Sequence, residues 1–265
     1  MMRKYAQKTL DGLGVVAIRA TPQNDTYLFH KLLPLSSHIL GLDPRTRDFL
    51  AFCTSRIEIS NSQILQDLFV LWVLREKRGG YFVDFGATDG IELSNSYLLE
   101  TKYGWNGIVA EPAKDWHASL RRNRQCSVEF DCVSDRSGSV VSFDETPGLG
   151  LSTMASFADD DRHAESRQDS VRYDVKTVSL NDLLQRHDAP GSIDYISIDT
   201  EGSELSILGA FDFQTYKPSI VTVEHNFVDA KRGAIFEVMT RNGYKRHFEA
   251  LSMFDDWYVH QDIEF

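Results

Sequence analysis

Long apolar runs are missing from this chain. None approaches the length of a bilayer crossing, so no membrane span is expected. Cysteine is scarce: three in 265 residues, Cys53, Cys126 and Cys132, with no CxxC spacing. That excludes a disulfide framework and a zinc knuckle, and it fits a reducing, cytoplasmic compartment. Cys126 and Cys132 fall in or beside an expected strand and read as small buried apolar residues rather than nucleophiles. Basic charge is also short, with 28 Lys and Arg against 39 Asp and Glu, a net charge of −11. Such a surface suits neither a nucleic-acid backbone nor anionic lipid. The N-terminal residues begin basic, but their apolar part is short and broken by glycines, so no signal peptide is expected. Repeats and low-complexity tracts are absent too. What is present is ordinary globular composition, 42% hydrophobic and 25% charged. The length suits one large α/β domain, alone or with an N-terminal extension.

Residues 1–60 read as that extension, short helices and loops with turn signals at Thr21-Pro22, Leu33-Pro34 and Gly41 to Pro44. Residues 61–265 read as the domain. It opens on a helix in SNSQILQDLFVLWVLREKRGG, capped by Ser60 or Ser62 and ended by Gly79-Gly80. Then short apolar strands alternate with helices. Strands are expected at Tyr81 to Phe85, Gly107 to Ala110, Ser127 to Val133, Ile193 to Ile198 and Ser219 to Val223. Helices are expected at Leu93 to Thr101, Lys114 to Asn123, Leu180 to Arg186, Ser203 to Leu208 and Lys231 to Arg241. Val140 to Phe143 and Val175 to Val178 are added strands. The pattern predicts an α/β fold, a Rossmann-like, doubly wound sheet, mostly parallel and covered on both faces. Two strand-like runs about a turn at Phe254 to Asp256 predict one antiparallel strand near the C-terminus. Residues 146–173 are polar and Gly/Ser-rich, a lid-like or disordered insertion.

In such a sheet, ligands bind beyond the carboxyl ends of the strands. The first strand carries Asp84 and runs into Gly86-Ala87-Thr88-Asp89-Gly90. The glycines are spaced GxxxG, not GxGxxG, and two acids flank the place a diphosphate would take. Acids there repel phosphate and attract a cation. Glu111 ends the second strand, where a carboxylate accepts both hydroxyls of a ribose. A ribose with a positive charge and no pyrophosphate describes S-adenosylmethionine.

The segments FVDFGATDGIELSNSYLLE, GWNGIVAEP, FDCVSD, IDYISIDTEGSELSILGAFDF and VTVEHN resemble the FkbM family of S-adenosylmethionine-dependent methyltransferases. The resemblance runs from about Ser62 to about Tyr244. It implies the class I methyltransferase fold and transfer of a methyl group to a hydroxyl oxygen of a sugar, glycan or secondary metabolite. It also implies residue roles. Asp84, Gly86, Ala87, Asp89 and Gly90 would shape the methionine end of the cofactor site. Ser94 and Asn95, expected in the first turn of the next helix, would reach the methionine carboxylate. Glu111, followed by Pro112, would hold the ribose. Asp131, Cys132 and Ser134, at the expected third strand end, would border the adenine, with Ser134 or Asp135 on its amino group. Asp199, Thr200 and Glu201 would face the methyl group.

An alcohol is a weak nucleophile at neutral pH, so its proton must be taken or its charge stabilised. Two clusters offer this. Asp199 and Glu201 follow the fourth strand, and Glu224-His225-Asn226 follows the fifth. His225 is the expected base, since imidazole is largely neutral at pH 7. Alternatively Asp199, Glu224 and Asn226 supply the oxygen ligands that Mg²⁺ or Mn²⁺ prefers. His163 reads as part of a solvated acidic loop and His247 as structural. Gln63 and Gln66 could touch cofactor or substrate, with Asp67 a favourable first-turn charge. A homo-oligomer is compatible with all of this. The rivals are an NAD(P)-dependent oxidoreductase, opposed by the missing GxGxxG, and a non-catalytic cofactor-binding scaffold.

Overall fold

The computed structural model describes residues 41–146, 152–157 and 170–265. The chain divides between Ala51 and Phe52 into two compact units. Residues 41–51 are the described part of the first, in which helix α1 (Pro44–Thr54) begins. The turn signals expected before Gly41, His163 and most of the expected insertion at 146–173 lie outside the described residues. Among the described residues no helix is long and apolar enough to cross a membrane.

The second unit opens with helix α2 (Gln66–Val73), much shorter than the helix expected from its sequence. Neither Ser60 nor Ser62 caps it. Its N-cap is Leu65, held left-handed at φ 72°. The two serine hydroxyls donate instead to Asp67, at 2.6 and 2.7 Å, and the Asn61 N–H adds 2.9 Å. Asp67 is wholly buried rather than a first-turn surface charge, so it recruits the donors that would otherwise have capped the helix. Leu68, Phe69, Val70 and Leu71 are all 0% exposed, which encloses α2 on every side.

Strand β1 (Tyr81–Phe85), helix α3 (Tyr97–Tyr103), β2 (Asn106–Ala110), α4 (Lys114–Asn123) and β3 (Ser127–Glu129) follow. Next come β4 (Cys132–Ser134), β5 (Val140–Glu145), β6 (Thr153–Met154), β7 (Val171–Ser179) and α5 (Leu180–Arg186). The chain then runs through β8 (Tyr195–Ile198), α6 (Glu204–Ala210), β9 (Ile220–Glu224), α7 (Asp229–Arg241), β10 (Tyr244–His247) and β11 (Asp255–His260). Seven strands form a mixed sheet in the order β10-β11-β9-β8-β1-β2-β3. Strands β3, β2, β1, β8 and β9 pair in parallel. Every residue of β8 and β9 is buried, as a strand covered on both faces requires. The main core joins Val83, Ile108, Ile196, Val221 and Val223 of the sheet to Leu183, Leu184, Ile207 and Ile235 of the helices.

Two expectations need correction. The single third strand is two, β3 in the main sheet and β4 in a separate sheet of order β4-β7-β5-β6. Glu129 causes the break: its side chain accepts the N–H groups of Phe130 and Asp131 at 2.8 and 3.0 Å and turns the chain. The main sheet holds two antiparallel pairs, β10–β11 and β11–β9, both made by β11, which runs against its neighbours on either side. The final turn lies earlier than Phe254 to Asp256. Phe248 and Met253, at φ 54° and 52°, carry the chain round, and Asp255 and Asp256 open β11.

Candidate active site

Strand order reverses between β1 and β8, and their carboxyl ends touch. Gly86 sits at φ +74°, and a Cβ placed on it would lie 2.1 Å from the Asp199 carbonyl oxygen. Only glycine allows this approach. The turn is also tied to β2, since the Gly86 and Ala87 N–H groups both donate to the Ala110 carbonyl.

The two acids of the turn differ. Asp84 is buried, and its Oδ2 accepts the Ser96 hydroxyl at 2.5 Å. Burial pushes its carboxyl above the usual range, against the pull of Ser96 and Arg124. Asp89 instead closes its own loop, its Oδ1 accepting the Ile91 and Glu92 N–H groups at 2.8 and 2.9 Å. This side-chain turn replaces the helix start expected near Leu93. Helix α3 begins only at Tyr97, where Ser94 Oγ accepts the Tyr97 N–H at 3.1 Å. Ser94 and Asn95 therefore lie in the loop before the helix, not in its first turn. Asn95 donates to Ser197 Oγ at 3.0 Å, and its buried Oδ1 has no hydrogen-bond partner among the described residues.

Glu111 follows β2 and is also buried. Its two oxygens accept the Thr88 N–H at 2.9 Å and the Ala113 N–H at 2.8 Å, binding the first turn to the second strand end. Burial pushes its carboxyl up to about 7. The Pro112 carbonyl meets the His117 ring nitrogen at 3.2 Å. The adenine stretch is displaced from its expected position. Asp131 pairs with Arg186 at 2.9 Å, while Cys132 and Ser134 are buried in β4 of the smaller sheet. Burial pushes the Cys132 thiol up to about 12, in keeping with an apolar role.

At the fourth and fifth strand ends three carboxylates meet. Asp199, Glu201 and Glu224 bring oxygens within 4.8 Å of one another. Glu201 and Gly202 turn the chain at φ 56° and 136°. The turn is held from beneath by Glu204, fully buried, which accepts the Thr200 and Gly202 N–H groups at 3.2 and 3.0 Å and pairs with Lys231 at 3.0 Å. From the smaller sheet, Thr153 donates to the Glu201 carbonyl at 2.7 Å. Burial first, and Glu204 next, push the Asp199 carboxyl up to about 7. Burial together with Asp199 and Glu201 raises Glu224 well above the carboxylate range. Asn226, left-handed at φ 51°, donates to Glu224 at 2.7 Å, and its buried Oδ1 has no hydrogen-bond partner among the described residues.

His225 does not fit the expected base. It is 1% exposed, and its Nδ1 accepts the Phe227 N–H at 3.0 Å. The proton is then on Nε2, which lies 3.8 Å from Asp256. Neither nitrogen is open to a substrate, and burial lowers the ring's basicity.

Sequence reasoning missed Asp255. Strand register sets it opposite Glu224, with Gln66 donating to it at 2.9 Å, so Gln66 serves this carboxylate. The alternation of the last strand was the available signal, masked by the turn-like FDD.

The fold is similar to the crystal structure of precorrin-6y C5,15-methyltransferase from Geobacter metallireducens GS-15, at 12% identity and a TM-score of 0.38, over 73% of this chain and 85% of that one. A likeness that slight supports no inference. A search of curated proteins found no match. The FkbM methyltransferase domain, in contrast, matches residues 84–246, from Asp84 of the first strand to the penultimate strand. The chain belongs to the FkbM methyltransferase family.

Proposed function

We propose that this protein is a class I methyltransferase that uses S-adenosylmethionine to methylate a hydroxyl oxygen of a sugar, glycan or other small metabolite. The observation that carries the reading is one sheet edge bearing Asp84, Glu111, Asp199, Glu201 and Glu224 at the ends of four strands that the fold sets side by side. This donor set suits a cationic nucleoside and opposes a diphosphate. When bound, the cofactor supplies an electrophilic methyl carbon on a positively charged sulfur. Asp84 would face its methionine end and Glu111 its ribose. Asp199 is the base we favour, because a carboxyl near 7 both ionises at neutral pH and holds the proton it accepts from the acceptor hydroxyl. Glu201 would orient that hydroxyl. The three cysteines are free, in keeping with a cytoplasmic location.

A second reading of the same cluster has a specific observation behind it. Three carboxylates this close repel one another when ionised, which favours a cation among them. The orphaned Oδ1 of Asn226 is the oxygen that an Mg²⁺ or Mn²⁺ ion held by Asp199, Glu224 and Asn226 would use. Such an ion would stabilise the acceptor alkoxide in place of a free base.

Titration calorimetry with S-adenosylhomocysteine and NADH tests the cofactor, and release of S-adenosylhomocysteine across a glycan panel tests turnover. Asp199→Asn should keep S-adenosylhomocysteine binding and lose turnover. Binding of NADH alone would refute the proposal. For the ion, Mn²⁺ should raise the unfolding temperature of the wild type and not of Glu224→Gln.

A further inference from the structure

Arg124 follows the last residue of α4, in a run of charged residues that reads as solvated surface. Its side chain is 0% exposed. The guanidinium reaches inward beneath the first turn. Nε donates to Glu100 of α3 at 2.5 Å, and Nη2 donates to Ser96 Oγ at 2.9 Å. Nη1 reaches the Gly90 carbonyl and Ser94 Oγ, both at 3.3 Å. The stem packs on Gly90, where an added Cβ would lie 2.8 Å from Arg124 Cγ.

A buried ion pair is a poor source of stability, since apolar residues of the same volume often serve as well. The contacts of Arg124 suggest another use. Besides Glu100, its side-chain hydrogen bonds fall on one loop, Gly90 to Ser96, which connects the cofactor turn to α3, and its guanidinium also lies over the Phe82 and Tyr97 rings. One contact continues onward. Ser96 accepts from Arg124 and donates to Asp84 Oδ2 at 2.5 Å. With one lone pair of Ser96 occupied by the guanidinium, its single proton is aimed at Asp84. The chain Glu100–Arg124–Ser96–Asp84 thus alternates acceptor and donor from α3 to the strand end.

Resting on the cofactor reading above, we propose that Arg124 is a positioning residue of the cofactor site. Through Ser96 it fixes the carboxylate of Asp84, and through Gly90 and Ser94 it fixes the loop on which the methionine end of the cofactor would lie. It touches neither cofactor nor acceptor. The consequence is selective: Arg124 governs recognition of the amino-acid end and leaves the nucleoside end, built on Glu111, alone.

Two probes separate these ends. S-adenosylhomocysteine carries both, whereas 5′-methylthioadenosine lacks the amino-acid end. Both are titrated calorimetrically into full-length wild type, Arg124→Gln, Ser96→Ala and Ser96→Thr. Loss of one charge-assisted hydrogen bond weakens binding by about 10- to 100-fold. S-adenosylhomocysteine should weaken by that much in Arg124→Gln and Ser96→Ala, with 5′-methylthioadenosine unchanged. Ser96→Thr keeps the hydroxyl and should restore wild-type binding. Ser96→Ala removes the relay without unburying a charge, so it tests the idea even where Arg124→Gln does not fold. Equal loss for both probes would mean a purely structural arginine, and no loss for either would mean no role; each overturns the inference. A wild type that binds neither probe would fail the cofactor reading first.

Discussion

The contact between Gly86 and the Asp199 carbonyl offers a direct test of how the two halves of the sheet meet. Alanine at Gly86 meets two separate penalties. At φ +74° an L-residue is strained, by roughly 1–2 kcal/mol. Its Cβ would also sit 2.1 Å from a backbone oxygen, where something must shift. Neither partner is a flexible side-chain end, so the strand end of β8 itself must move, at an overpacking cost of roughly 1–3 kcal/mol. Gly138 isolates the first penalty. It lies at a similar φ of +78°, and an added Cβ there meets nothing within 4 Å. Gly138→Ala should therefore destabilise by roughly 1–2 kcal/mol and Gly86→Ala by roughly 2–5 kcal/mol. Urea unfolding measures both. Only Gly86→Ala should also weaken S-adenosylhomocysteine, because the shift moves Asp199 away from the first turn. If the two variants match in stability and in affinity, the close approach does not organise the site.

Three further outcomes are expected. Asp84→Ala and Glu111→Ala should each abolish binding of S-adenosylhomocysteine by calorimetry, with the fold retained by circular dichroism. His225→Ala should keep turnover and lose about 1–3 kcal/mol of stability, because the ring is buried and hydrogen-bonded rather than catalytic; a turnover loss with unchanged stability would restore it as a base. Glu111 should make the unliganded protein less stable as pH rises. Its carboxyl is raised in the folded state from 4.5 to about 7, so the folded chain holds that proton more tightly than the unfolded one. The contribution is full below about 4.5 and lost as pH passes about 7, a change of about 3 kcal/mol. The stability of wild type relative to Glu111→Gln in urea unfolding should therefore fall over that window, and an offset that stays constant would count against it.

Much of the domain was legible because its signals are local. Short apolar runs alternating with amphipathic ones give parallel strands and helices, and α5 falls at Leu180–Arg186, where periodicity puts it. Asp84 and Glu111 could be placed at the sheet edge because each stands at or beside the end of such a run. What was not legible depends on burial and on which side chain claims which donor, neither of which a pattern of apolar and polar residues shows. Ser60 and Ser62 have the form of helix caps, yet a buried Asp67 claims both. Glu129 splits one apolar run into strands of two sheets through its own backbone contacts. Arg124 looks like one more surface cation until Glu100, 24 residues earlier, draws it inward. His225 stands at a strand end, which is the right place, but the strand's last turn rotates its ring toward Asp256 and away from the edge.

A rule for sorting the many acids of this edge follows from which of them have their own cation. Glu204 has Lys231, Asp256 has Arg232 and Arg246, and Glu100 has Arg124. Each of these three carboxylates is largely or wholly buried and each joins elements distant in sequence, so removing one would leave a buried or half-buried cation uncompensated. Asp199, Glu224 and Asp255 are different. Among the described residues no ion pair joins any of them, and burial raises all three carboxyls. They lie at neighbouring strand ends, Asp255 opposite Glu224 in register. Neutralising the scaffold acids internally, while Asp199 and Glu224 share the field of Lys231 in place of a cation of their own, concentrates negative potential beside the place where the sheet's strand order reverses. A bound cation would relieve that potential, so its affinity should fall as pH drops and these carboxyls take up protons. Calorimetry of S-adenosylhomocysteine, whose sulfur is neutral, against its sulfonium analogue S-adenosylmethionine reads this directly. The sulfonium should bind more tightly at pH above about 7 and lose that advantage below it. An advantage that does not change with pH would mean that the three acids do not sense the ligand's charge.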